Sequence, residues 1–242
     1  MSLEMDEYLE WHRLCNEMMT QYCAGRDSCY GLVLDLIGSL LKLPNKTNIL
    51  DVGCGSGVFT EKVLAHFSEA KITAIDYSAK NLHIAQKVVG KNRASWILQD
   101  LTAPEWDRQF RNASFDVAFI GWVTHIIEPW HLNQFYKNIS SALREGGLLF
   151  NVDFMSRLKP SFRDMATNVV RKRITNDFDS FDKNFSKKEA ITKLHSKDNQ
   201  QRTAWNVRHD VDYHIKAIED AGFKDAEEIW RYLNSSLILA IR

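Results

Sequence analysis

Residues 48–57 read Asn48-Ile49-Leu50-Asp51-Val52-Gly53-Cys54-Gly55-Ser56-Gly57, and this stretch decides the fold. Its first half is a short apolar run, the pattern of a strand covered on both faces of a parallel sheet. Three glycines in five positions then lead into an apolar helix over residues 58–65. Glycine adopts positive φ and lets the backbone approach a ligand closely. The helix start beyond it offers unpaired N–H groups to a polar or anionic group. An ordinary strand-to-helix turn rarely needs three glycines, so this one reads as a ligand-binding turn.

Outward from the turn the chain alternates. Residues 71–75, 94–98, 115–120 and 147–152 read as strands, and 79–89 and 132–143 as helices. Such alternation specifies a parallel sheet with helices on both faces. Residues 5–42 read as two helices, with Leu32, Leu34, Leu36, Ile37, Leu40 and Leu41 crowding one side of the second. Near the end, 211–221 is a helix closed by Gly222, and 227–233 and 236–242 are strands joined at Asn234-Ser235. The expected fold is α/β: a doubly wound, seven-stranded, mostly parallel sheet with an antiparallel C-terminal hairpin strand. One domain over 1–242 is expected, comprising a helical N-terminal cover (1–44), a ligand-binding core (45–153), a helical insertion after the fifth strand (154–205), and a C-terminal helix and hairpin (206–242).

Lys+Arg and Asp+Glu balance at 31 each, which argues against a global field recruiting nucleic acid or an anionic membrane. No apolar run approaches a membrane span and no basic–apolar leader opens the chain, so the cytoplasm is the expected compartment. Cys15, Cys23, Cys29 and Cys54 form no Cys-x-x-Cys pair, and they read as reduced thiols rather than metal ligands. A monomer or homodimer is expected.

The dinucleotide fingerprint is Gly-x-Gly-x-x-Gly, whereas here the third glycine comes one position early. Asp76 ends the second strand 19 residues after Gly57, where a carboxylate accepts from both hydroxyls of a ribose. That feature suits a nicotinamide dinucleotide as well as other adenosyl ligands.

The ordered set of motifs separates these. Ile49-Leu50-Asp51-Val52-Gly53-Cys54-Gly55-Ser56-Gly57, Asp76-Tyr77-Ser78, Gln99-Asp100-Leu101, Phe115-Asp116-Val117-Ala118-Phe119 and Leu143-Arg144-Glu145-Gly146-Gly147 resemble the successive motifs of class I S-adenosylmethionine-dependent methyltransferases. The layout is most similar to small-molecule methyltransferases of the trans-aconitate type. The resemblance implies S-adenosylmethionine as cofactor and S-adenosylhomocysteine as product. It implies that Asp51, Gly53 and Gly55 lie beside the methionine moiety, with Gly57 completing the turn, and that Asp76 holds the ribose. Asp100 and the Leu101 N–H would meet the adenine, Tyr77 would pack on its face, and the Gly121 carbonyl would accept from the cofactor's amino group.

Methyl transfer needs alignment above all, plus a base where the acceptor holds its proton tightly. His125 and Trp122 leave the fourth strand at the ligand-binding edge, as a candidate base and a candidate wall of the donor methyl. Asp153, ending the fifth strand, is a candidate to orient substrate or to tie down the insertion. Tyr8, Trp11 and His12 are candidates for a lid. Arg157, Lys159, Arg163, Arg171, Lys172 and Arg173 form a basic run, read first as a solvated face. Alternatively one or two of them, with Arg157 and Arg163 the candidates, turn inward to clamp a carboxylate or a phosphate. The reading is methyl transfer to a small molecule, with carboxylate-bearing acceptors among the candidates. A tRNA or protein methyltransferase and a non-catalytic cofactor-binding protein are the alternatives.

Overall fold

The computed structural model describes residues 5–103, 105–111, 115–155, 159, 161–162, 164–166, 168–169, 172 and 209–242. In chain order the elements are α1 (Met5–Tyr22), α2 (Arg26–Leu40), β1 (Asn48–Val52), α3 (Val58–His66), β2 (Lys71–Asp76), α4 (Ala79–Ala85), β3 (Ser95–Leu98), β4 (Phe115–Gly121), α5 (Pro129–Ala142), β5 (Leu143–Asp153), α6 (Val211–Asp220), β6 (Asp225–Tyr232) and β7 (Ser235–Ile241). The seven strands form one sheet in the order β3-β2-β1-β4-β5-β7-β6. The five strands β3 to β5 are parallel, and β7 runs antiparallel to both β5 and β6. This is the expected doubly wound sheet with its reversed hairpin strand.

Alternation along β1 and β4 splits the apolar side chains between two cores. Leu50, Val52, Ala118 and Ile120 face α5 and α6, while Ile49, Val117 and Phe119 face α2 and α3. On the second face Phe59 stacks on Phe119 with centroids 3.6 Å apart. Burying an aromatic side chain of this size contributes about 1.5–3 kcal/mol, with about 0.5–1.5 kcal/mol more from such a pair. The switch in strand order beside β1 opens a crevice at the carboxyl ends of the strands, where open α/β sheets bind ligands.

Several boundaries differ from the expected ones for local reasons. Pro129 occupies the first turn of α5 and starts it earlier, since proline loses nothing at a position whose N–H has no helical partner. Helix α4 stops at Ala85 and passes into a π turn over Gln86–Gly90. The hairpin turns at Leu233-Asn234 rather than at Asn234-Ser235: Leu233 takes φ 54, and Ser235 and Ser236 are fully buried within β7. Cys23, Cys29 and Cys54 are buried free thiols. In the 154–205 insertion, residues 161–162, 164–166, 168–169 and 172 are helical, and Lys159 and Lys172 are exposed. Arg157, Arg163, Arg171 and Arg173 lie outside the described residues. No helix of the described residues is long and apolar enough to cross a membrane.

Candidate functional site

Strand β1 delivers the glycine turn to the crevice, and β2 fixes it there. The Gly53 and Cys54 N–H groups donate to the Ile75 carbonyl at 2.8 and 3.0 Å. Asp76 accepts from the Gly55 N–H at 2.9 Å and the Ser78 N–H at 2.8 Å. The three glycines all have positive φ, yet they do different work. A Cβ on Gly53 would stand 2.3 Å from Val123 Cγ2, and one on Gly57 would press on Ala85, Val89 and Trp96. A Cβ on Gly55 would meet nothing within 4 Å. The turn therefore packs on both sides and opens in its middle toward the crevice.

That crevice is a cavity of about 550 Å³, inside the usual range for small-molecule sites. Gly53, Gly55, Asp76, Tyr77, Asp100, Leu101, Gly121, Trp122 and His125 all line it. Asp51 and Gly57 stand one layer behind. Asp51 is buried and accepts from the Thr60 hydroxyl at 2.6 Å. Burial pushes its carboxyl up to about 7, and the neighbouring Asp76 charge adds to the rise while the Thr60 bond opposes it. Gly57, at φ 87, is the left-handed residue that starts α3. Asp100 spends one oxygen on its own turn, accepting from the Thr102 N–H at 2.9 Å and hydroxyl at 2.7 Å.

The opposite wall carries the second cluster. Gly121 and Val152 are register partners on β4 and β5, so the turn after β4 meets Asp153 at the end of β5. Asp153 is 1% exposed. It accepts from the Thr124 hydroxyl at 2.7 Å, the His125 N–H at 2.9 Å and the Phe154 N–H at 2.7 Å. The His125 Nδ1 lies 2.8 Å from Oδ1, the oxygen that also accepts from the Phe154 N–H. Burial alone would raise this carboxyl, but the His125 charge and the converging donors hold it down at about 2. Trp122 sits beside them at φ 53, a left-handed conformation that side chains other than glycine adopt at a cost.

Tyr8, Trp11 and His12, candidates for a lid, are not among the residues that line the cavity. Tyr8 and Trp11 pack on α4, through a 3.0 Å bond to His83 and under the Lys80 ammonium at 3.9 Å, and His12 approaches Glu61 of α3 at 3.5 Å. Of the described α1 side chains, Met19 reaches the cavity. Met19, Asn81, Thr102, Val123, Ile126 and Ile127 complete the lining and were not anticipated. Only Asn81 had a signal: Ser78 accepts from its N–H at 3.3 Å, the start-of-helix spacing that follows directly on Asp76.

Sheet order, glycine turn and acidic strand ends together are those of a class I S-adenosylmethionine-dependent methyltransferase domain. Residues 49–147 match the methyltransferase-domain family model. Among curated proteins, trans-aconitate 2-methyltransferase of Afipia carboxidovorans is 33% identical over 135 residues, 53% of this chain and 46% of that enzyme. Malonyl-[acyl-carrier protein] O-methyltransferase 2 of Ilyobacter polytropus is 27% identical over 127 residues, 49% of this chain and 45% of that one. The chain thus covers less than half the length of these relatives. Carboxy-S-adenosyl-L-methionine synthase of Aliivibrio fischeri is 23% identical over 217 residues, 88% of this chain and 84% of that one. The solved structure of magnesium protoporphyrin IX methyltransferase from Synechocystis, with S-adenosylhomocysteine bound, shares the fold at a TM-score of 0.58. That match covers 90% of this chain and 83% of the other at 15% identity.

Proposed function

We propose that this chain methylates a hydroxyl of a small molecule, with His125 as general base and Asp153 as the residue that positions it. S-adenosylmethionine supplies the methyl group on a sulfonium, an already activated donor. The observation that carries the reading is the 2.8 Å His125–Asp153 pair on the wall opposite the glycine turn. The Asp153 carboxylate accepts from Nδ1–H, which fixes the tautomer that carries its lone pair on Nε2. The same carboxylate stabilises the imidazolium once the proton is taken.

The cofactor side follows from fit. The open face of Gly55 admits a ligand against the backbone, and Asp76 places a carboxylate on the cavity wall for ribose hydroxyls. Tyr77 flanks the adenine position, with Asp100 and the Leu101 N–H at its edge and the Gly121 carbonyl toward the amino-acid end. Asp51 and Gly57 act through the turn: Asp51 as a buried carboxyl that a cationic ligand ionises, Gly57 by shaping the start of α3.

The test is a panel of hydroxylated small molecules assayed for S-adenosylhomocysteine release. Acceptor-dependent release that falls at least a hundredfold in His125→Ala is expected. Release unaffected by that substitution would remove the base assignment. Methylation of tRNA or protein instead, with every small molecule inert, would move the acceptor to the macromolecular class. The 217-residue match to a carboxy-S-adenosyl-L-methionine synthase favours a second reading, in which the cofactor itself is modified. A nucleoside product heavier than S-adenosylmethionine would decide for it.

A further inference from the structure

Five of the six residues 122–127 line the cavity: Trp122, Val123, His125, Ile126 and Ile127. The exception, Thr124, is buried and turns its hydroxyl to Asp153. The turn after β4 is therefore a continuous wall whose side chains are apolar but for one imidazole. Both ends of it are fixed. The Trp122 N–H donates to the Val152 carbonyl at 2.7 Å, and Val123 packs against Gly53, so the wall begins at the glycine turn. At the far end His125 is held by Asp153 and flanked by the Phe154 ring, with centroids 5.4 Å apart. The indole N–H of Trp122 is buried, so it adds no donor to the wall.

Charge points the same way. Besides His125, the acidic and basic side chains among the described lining residues are Asp76 and Asp100. Asp153, 1% exposed, stands directly behind the imidazole. A carboxylate on the acceptor would give up water to face these carboxylates, which is costly. An ammonium on the acceptor would meet the sulfonium that donates the methyl group. An uncharged acceptor meets neither penalty, and apolar walls with a few placed polar groups are the usual form of small-molecule sites. The proton then sets the kind of hydroxyl. An ordinary imidazole titrates at about 6.5 and a phenol at about 10, whereas water stands at about 15.7. An aliphatic alcohol resembles water, so its proton lies beyond easy reach of an imidazole.

We infer that the acceptor is an uncharged phenol, laid against residues 122–127 with its hydroxyl at His125, and not a hydroxy acid. The hydroxyl proton passes to His125 Nε2 as the oxygen forms its bond to the methyl carbon. The C–S bond breaks with its electron pair left on sulfur, giving an aryl methyl ether and S-adenosylhomocysteine. The imidazolium then loses its proton to solvent. This choice of acceptor rests on the methyl-transfer reading above; ligand selectivity is measured apart from turnover.

The test titrates para-cresol, para-hydroxybenzoate, para-hydroxybenzylamine and cyclohexanol into the full chain by calorimetry at neutral pH, with and without saturating S-adenosylhomocysteine. Para-cresol is expected to bind at least tenfold more tightly than the acid and at least threefold more tightly than the amine. With S-adenosylmethionine, para-cresol is expected to release S-adenosylhomocysteine and cyclohexanol to release none above background. In Ile126→Lys, which brings a cation to the wall, the preference for para-cresol over the acid is expected to fall tenfold or more. Met19→Lys, at a cavity-lining position on α1 that is 36% exposed, supplies the same charge test should Ile126→Lys not fold. Wild type that binds the acid or the amine as tightly as para-cresol, or methylates cyclohexanol as fast, overturns the inference. So does an unchanged preference in the folded Lys variant. Release with other acceptors but with no uncharged phenol overturns this inference alone. Failure to bind S-adenosylhomocysteine, or no release with any hydroxyl compound, contradicts the methyl-transfer reading itself.

Discussion

His125 and Asp153, 28 positions apart in the chain, stand as a 2.8 Å hydrogen-bonded pair because their strands are in register at Gly121 and Val152. Two further bonds to Asp153, from the Thr124 hydroxyl and the His125 backbone N–H, lock the turn on which the imidazole sits. An imidazole held this way needs no reorganisation when it takes a proton.

Replacing the two members should therefore have different kinetic signatures. In His125→Ala, kcat for a hydroxyl acceptor is expected to fall by about 10²–10⁴, the usual contribution of a general base. In Asp153→Asn the ring loses the partner that stabilises its charged form, so the acidic limb of the kcat/KM profile should move to lower pH. Measured pH–rate profiles that superimpose for wild type and Asp153→Asn would contradict the positioning role.

The same carboxylate makes a stability prediction. Its value of about 2 in the folded protein lies below the ordinary 3.8, so the folded state holds the proton less readily than the unfolded chain. Its contribution is therefore present above about pH 4 and lost as pH falls through 4 toward 2, and is worth about 2 kcal/mol. Urea unfolding at pH 7 and pH 3 should show this loss in wild type and a smaller one in Asp153→Asn.

Asp51 has the opposite sign. Burial raises it from 3.8 to about 7, so the folded state keeps a proton that the unfolded chain releases. Its stabilising effect is complete below about pH 4 and is lost as pH rises through 7. A cationic ligand beside Asp51 favours the ionised form, so S-adenosylmethionine binding at pH 6 should release a proton. Calorimetry in buffers of different ionisation enthalpy should reveal that release in wild type and its absence in Asp51→Asn.

The glycines allow a sharp contrast. Gly57→Ala meets Ala85, Val89 and Trp96 at 3.0–3.3 Å with φ 87, and should lower the melting temperature. Gly55→Ala has open space around its Cβ and only the backbone cost of φ 55, about 1 kcal/mol. It should leave most of the stability and weaken S-adenosylhomocysteine binding more than tenfold. Equal effects of the two on binding would show that Gly55 does not face the ligand.

Much of this was legible from local pattern. Residues 48–57 contain a strand, a turn and a helix start within a few positions, and Asp76 and Asp100 follow at the ends of the next strands, so the crevice could be read without long-range information. The His125–Asp153 bond depends on β4–β5 register, and neither residue's neighbours announce it. Trp122 drew notice as a ring on a wall, whereas its unpaired indole N–H is a property of the folded surroundings. Tyr8, Trp11 and His12 misled because an aromatic cluster on a leading helix looks the same whether it covers a ligand or packs on α3 and α4.

The central claim is that the cavity at the carboxyl ends of β1 to β4 holds S-adenosylmethionine, and thermal denaturation with S-adenosylhomocysteine tests it most directly. At a ligand concentration 100 times its Kd the stabilisation is about 2.7 kcal/mol, or about 5–10 °C for a chain of this size. The expected result is a rise of that order in wild type, none with NAD, and a shift in Asp76→Ala that corresponds to more than tenfold weaker binding. No rise with S-adenosylhomocysteine, an equal rise with NAD, or an undiminished shift in Asp76→Ala would contradict it.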